Sequence, residues 1–335
     1  VFDTLLTCAR GEHEIGAMGK HVTRSLLVAS RPEGWTFIEN LLIAAQRQEG
    51  LRQAILETID EAHPEAFRRM VKLILEHDLL RFSATLRATD KWFGLGWDIT
   101  QKKVAERSLR QVLSCLEDPG RLDSAMHSED PQQVYLALWA IAFEDAMAAI
   151  APATELLKHQ QVEIRFAAAF LLNQIQLNPA RQALLTALED SDLRVATQAF
   201  DSIYDTGIGL ANTDLFERLE AFLLRIPHKT KQLPPIVWEW MTLTLHRERV
   251  TAALSMRLGD RSPKRLIPYL AEMDIWRRIE AIELLAKEKP WDEQMQQILV
   301  DAVSDRSSYA RDRTIDLLKQ HSLSPNFVMR LESLL

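Results

Sequence analysis

Glycine is scarce in this chain, 11 of 335 residues, and asparagine is scarcer still at 5. Both supply the positive-φ positions of tight hairpin turns, so their shortage disfavours a β-sandwich or barrel. Cysteine is limited to Cys8 and Cys115. Two are too few for a disulfide framework or a CxxC-type zinc site, and a reducing, cytoplasmic setting is expected. No apolar run approaches the length of about 18 residues that a transmembrane helix needs, so no membrane association is expected. The motifs of common chemistries are missing as well. Gly19-Lys20 lacks the earlier glycine of a phosphate loop and is followed by His21. Gly94-Leu95-Gly96 and Gly207-Ile208-Gly209 lack the third glycine of a dinucleotide fingerprint, and there is no HExxH or GxSxG. No catalytic residue, metal or cofactor is therefore expected.

What is present is ample apolar material, 47% of the chain, with 26% charged residues. Those proportions suit a folded protein, and the length suits about two domains. The formal net charge is −7. Residues 1–120 carry 16 basic and 17 acidic groups, residues 121–205 carry 5 and 12, and residues 206–335 carry 19 and 18. An acidic balance argues against a protein that coats nucleic acid. The chain starts at Val1 rather than Met, as expected of a piece of a larger polypeptide.

Five segments share one pattern, a turn followed by an Ala-rich amphipathic helix. Asp130-Pro131 leads into Val134, Ala137, Leu138 and Ile141; Gln160-Gln161 into Ile164-Arg165, Ala168, Leu171 and Ile175. Asp190-Ser191-Asp192 leads into Leu193-Arg194, Ala196 and Phe200; Met273-Asp274 into Trp276-Arg277, Ile279 and Ile282; Asp305-Arg306 into Ala310-Arg311 and Leu317. Apolar residues at i, i+3, i+4 and i+7 lay a stripe along each helix. Phe166 and Phe170 add a second apolar side, so that helix must lie between layers. Ala146–Lys158, Pro179–Leu188, Ser262–Glu272 and Trp291–Val303 supply an amphipathic partner before each of the later helices. One such hairpin cannot bury its own face, and stacking is the remedy.

The strings VEIRFAAAFLL (162–172), DLRVATQAF (192–200) and RLIPYL (265–270) resemble HEAT-type repeats, which implies an all-α superhelical solenoid over 120–335. The resemblance also implies a ladder between the turn aspartates Asp190, Asp192, Asp274 and Asp305 and the helix arginines Arg165, Arg194, Arg277 and Arg311. Gln160-Gln161 and Tyr135 depart from the pattern, so the ladder is expected to break there. Residues 206–260 fit worst. They read as an enlarged irregular repeat, with helices at Asp214–Arg225, Ile236–Leu245 and Glu248–Leu258 around the breaker PHKTKQLPP (227–235).

Residues 1–119 lack the repeat but remain helical at Trp35–Gln46, Leu51–Ile59, Pro64–Leu75, Leu79–Thr85 and Lys102–Leu116. They read as a helical N-terminal block. The strings at 44–70 and 81–94 look like the helical region of large bacterial proteins of the molybdate-metabolism-regulator type, some of which carry a WGR domain.

Candidate surfaces come from aromatics and from charge. Trp92 and Trp97 flank a glycine-containing loop, and Trp238 and Trp240 are two apart in the expected helix, so they point different ways. Trp139 and Trp276 sit in repeat helices and read as core. Segment 218–265 holds ten basic and four acidic residues. Arg218 and Arg225, seven apart, share a helix face and lead to Lys229 and Lys231, a stripe suited to an acidic partner. The expected function is a non-enzymatic, monomeric scaffold that binds a protein. One alternative is weak nucleic-acid binding or base modification, similar to the alkylpurine DNA glycosylases, with Trp238 or Trp240 beside Glu239. Another is an enzyme seated in the N-terminal polar block, Gln46-Arg47-Gln48-Glu49 with Arg52, Glu57, Asp60, Glu61 and His63.

Overall fold

The computed structural model describes residues 17–334 except 30, 45–48, 60–63, 95–100, 176, 206–213, 239–240 and 321–322. Among them the chain is all-α apart from one short hairpin, and consecutive helices pack side by side as an α-α solenoid. It divides into two compact units, residues 1–187 with 235–242, and residues 188–234 with 243–335.

The first unit contains α1 (Ala17–Ala29), α2 (Pro32–Ala44), α3 (Glu49–Leu56), α4 (Pro64–Glu76), α5 (Ser83–Phe93) and α6 (Lys102–Glu117). It continues with α7 (Pro119–Met126), α8 (Pro131–Glu144), α9 (Ala146–Leu156), α10 (Val162–Gln174) and α11 (Asn178–Ala187). Helix α10 buries every residue from Phe166 to Leu172. A helix apolar on all sides can exist only between layers, and α8 and α11 supply them. Aspartates start the helices: Asp118, Asp130 and Asp145 each accept a backbone N–H of the following turn.

Helix α5 continues through Trp92 and Phe93, where the sequence reading placed a loop, and ends at Gly94 with φ +62°. A side chain at Gly94 would adopt that strained backbone and press on Gln174, 3.3 Å from the Cβ position.

The second unit contains α12 (Leu193–Asp205), α13 (Leu215–Arg225), α14 (Arg247–Met256), α15 (Ile275–Lys287), α16 (Glu293–Ala302), α17 (Ser308–Lys319) and α18 (Pro325–Leu334). The amphipathic segment at 263–272 is a 3₁₀ helix, Pro263–Glu272. Instead of the helix expected at Ile236–Leu245, strand β2 (Leu243–Leu245) pairs antiparallel with β1 (Lys231–Leu233), Lys231 opposite Leu245. Pro234-Pro235 cannot continue a helix, and Leu243 and Leu245 are buried while Thr244 is less so.

Candidate functional site

The aromatic candidates of the first unit belong to its core. Trp92 is 6% exposed, donates its indole N–H to the Leu56 carbonyl at 3.1 Å, and packs edge-on against Phe67 at 5.5 Å. Trp238 is 7% exposed and lies 5.0 Å from both Tyr135 and Phe170. Neither ring is offered to a partner, because each fills the space between helices. Trp97 and Trp240 lie outside the described residues. Tyr135, which stands where the next repeat has Arg165, is fully buried and donates its hydroxyl to the Phe93 carbonyl. Burial pushes its phenol well above the ordinary value.

The basic segment is largely neutralised within its own unit. Arg218 pairs with Glu189, and Arg225 donates to the carbonyls of Leu188 (3.0 Å) and Asp190. The two do share a helix face, as the spacing requires, but that face is spent on the 188–190 turn. Arg247 donates to the carbonyls of Leu223 and Ile226 and to Glu272, each at 2.6 Å. Arg249 holds Asp201 at 2.7 Å, and Lys264 holds Asp292 at 2.5 Å. Glu217 receives Arg261 at 2.8 Å and Arg265 at 2.9 Å. Hydrogen bonds from Arg261 first, then Arg265, hold its carboxyl at about 2. Both guanidiniums lie over the Phe216 ring, at 5.3 and 4.4 Å. Lys229 and Lys231 remain, exposed and without a partner among the described residues, as does the half-buried Arg257.

The residues of the expected ladder make local contacts at their turns and helix starts. Asp274 caps α15 by accepting the N–H groups of Trp276 and Arg277. Arg277 pairs with Glu280 in its own helix, whereas Arg278 reaches Asp305 of the next repeat at 2.7 Å. The rung between repeats is therefore displaced by one residue. Arg165 donates to the His159 and Gln160 carbonyls, and Arg311 to those of Asp305 and Arg306. In both repeats arginine binds the carbonyls five and six residues before it, fastening the turn to its helix. Asp190 accepts the Asp192 N–H, and Asp192 binds Arg194 within one turn.

The N-terminal polar block is structural where it is described. Arg52 is fully buried, lies 3.6 Å from the Phe82 ring and donates to Glu49 and the Leu42 carbonyl. Glu49 in turn accepts the Ala84 N–H at 2.7 Å at the start of α5. Glu57 receives Gln53 at 2.9 Å. Gln46, Arg47, Gln48, Asp60, Glu61 and His63, like Glu239, lie outside the described residues. Among the described residues no three His, Cys, Asp or Glu side chains converge on a metal-sized site, and no helix is long and apolar enough to cross a membrane.

What the second unit does present is an exposed face along α15 and α17, with an aromatic pair at its N-terminal end and a cleft at its C-terminal end. Trp276, expected in the core, is 61% exposed and Tyr309 is 47% exposed, with ring centroids 4.9 Å apart. At about 100° per residue, Trp276, Glu280, Glu283 and Lys287 form one narrow stripe on the side away from buried Ala281, Ile282 and Leu285. Tyr309, Arg313, Asp316 and Gln320 repeat that spacing on α17. Arg313 pairs with Glu283 midway along. That pair also lines a cleft of about 470 Å³, together with Ala286 and Leu317 and with Lys287, Lys289, Asp316 and Gln320. Asp316 binds Lys319 at 3.1 Å. Lys287 and Lys289 are exposed and have no anionic partner among the described residues. The stripe was within reach of the sequence, because Trp276 falls about 140° from the centre of the apolar face of its helix.

No curated protein matches the chain. Among solved structures it is similar to an engineered protein determined by the Northeast Structural Genomics Consortium. Sequence identity is 13%, with 95% of this chain and 98% of that one covered, at a TM-score of 0.37. A family match, by contrast, runs over every residue from 1 to 335, and the chain belongs to that family, described as the family of unknown function DUF5724.

Proposed function

We propose that this chain is a non-catalytic helical-repeat scaffold that recognises a protein partner through the α15–α17 face of its second unit. The observation that carries the reading is the Trp276–Tyr309 pair, two large rings exposed side by side at matching positions of successive repeats. Aromatic side chains with a polar handle are the commonest anchors of protein interfaces. The salt bridges of segment 218–265 support a protein rather than a nucleic-acid partner, since they leave few cations for phosphates. The low cysteine content supports a cytoplasmic setting. The resemblance of residues 44–94 to large bacterial proteins supports a place within a bigger assembly.

A random peptide display library panned on the chain tests the reading. Enriched peptides should lose affinity by about 30-fold or more on Trp276→Ala, the size of an interface hot spot. The thermal midpoint of that variant should stay unchanged, because the ring is not in the core. Enrichment that is indifferent to both Trp276→Ala and Tyr309→Ala would defeat it.

A further inference from the structure

The α15–α17 face also defines what it should bind, and this inference rests on the reading just given. Its two ends differ in chemistry. The N-terminal end offers the Trp276 and Tyr309 rings, 4.9 Å apart and inclined at 52°. The C-terminal end offers Lys287 and Lys289, which carry the face's uncompensated charge. Between them the charges cancel locally, Glu283 with Arg313 and Asp316 with Lys319. Ala286 and Leu317 give an apolar lining, and the Gln320 amide stands beside it with both a donor and an acceptor.

The spacing of the two ends is fixed by the helix. Eleven residues separate Trp276 from Lys287. At about 1.5 Å per residue this is about 16 Å. An extended chain advances about 3.3 Å per residue, and a polyproline-type chain about 3.1 Å. Either covers the distance in about five residues. We propose that this face binds an extended peptide segment bearing a proline or leucine anchor on the Trp276–Tyr309 pair and side-chain carboxylates about five residues away, against Lys287 and Lys289. A single-stranded nucleic acid suits the face less well. Its phosphates recur along the whole strand and would meet Glu283 and Asp316, whereas a peptide with one acidic end meets positive charge only where it carries negative charge.

The test is fluorescence anisotropy on the full chain, using labelled synthetic peptides with one proline or leucine anchor and two glutamates. The spacings are two, five and eight residues, each in both chain directions. Controls carry lysines or glutamines in place of the glutamates, and a single-stranded oligonucleotide is run in parallel. Binding should be tightest at five residues by about tenfold. The double variant Lys287→Ala/Lys289→Ala should lose that advantage over the glutamine control, and Trp276→Ala should lose binding of both. Circular dichroism melts of the variants report on folding. Equal affinity at all three spacings, or preference for the lysine peptide, would overturn the proposed ligand while Trp276-dependent binding kept the surface reading. Absence of binding by every peptide overturns the proposed ligand, and the display experiment then decides the surface. Tighter, Trp276-dependent binding of the oligonucleotide overturns both.

Discussion

Arg247 shows how much one side chain carries in this fold. Its guanidinium is 9% exposed and gathers the last carbonyls of α13 together with Glu272, which also meets His228 at 3.1 Å. Truncation to alanine takes a charged donor from two carbonyls and a carboxylate at once. Removing one partner of a buried ion pair typically costs about 3–5 kcal/mol. Urea unfolding of Arg247→Ala should show a loss in that range, while Arg257→Ala, whose side chain has no ion-pair partner among the described residues, should stay within about 0.5 kcal/mol of the parent. Leu171 tests the core in the same way. It is fully buried in α10, so Leu171→Ala should cost about 2–5 kcal/mol, and because repeats couple to their neighbours the melt should broaden as its midpoint falls. An unchanged denaturant midpoint would contradict the packing described for α10.

At the scale of elements, the repeat helices were legible because their burial follows from spacing alone. Stripes at i, i+3 and i+4 anticipated α8, α10, α12, α15 and α17 to within a few residues. The β1–β2 hairpin was not legible. Its strands are three residues each, too short for alternation to stand out against a helical background. Trp238, within the helix expected at 236–245, is buried through contacts with Tyr135 and Phe170, residues far away in sequence. Trp276 was misread for a simpler reason, since membership of an apolar helix was taken for membership of its apolar face. Asp192 and Asp274 accept backbone N–H groups at the start of their helices, a demand local to each helix, and Arg278–Asp305 bridges two repeats. Contact between α13 and the segment after α14 carries a pH dependence. The Glu217 carboxyl is lowered from 4.5 to about 2 by Arg261 and Arg265. A depressed acid stabilises the fold fully above its unfolded value and loses that contribution as pH falls through the folded one. The urea midpoints of the parent and Glu217→Gln should therefore differ most above pH 4.5 and converge towards pH 2. A constant gap across that window would remove Glu217 from the acid response.

At the scale of the whole molecule, the question is whether its charge lets it hold a polyanion. The net charge of −7 opposes one at long range. Sequence counting gave four candidate phosphate contacts, Arg218, Arg225, Lys229 and Lys231, and each neutralised phosphate contributes about −0.9 to the slope of log affinity against log salt, or about −3.6 in all. The structure changes that count. Arg218 would have to release Glu189, and Arg225 would have to release two backbone carbonyls. Breaking those contacts takes away what a phosphate would contribute. Lys229 and Lys231 alone are left, on the approach to and the first residue of β1, which brings the slope to about −1.8. Duplex binding should be no tighter than the non-specific range of about 10⁻⁴–10⁻⁶ M at physiological salt. Anisotropy with labelled duplex DNA over a salt series checks both numbers. Lys229→Ala/Lys231→Ala should flatten the slope to near zero, while Arg218→Ala should leave it unchanged. A slope near −3.6 that Arg218→Ala reduces by about 0.9 would mean that the ion pairs open for DNA, and the nucleic-acid reading would then outrank the protein partner.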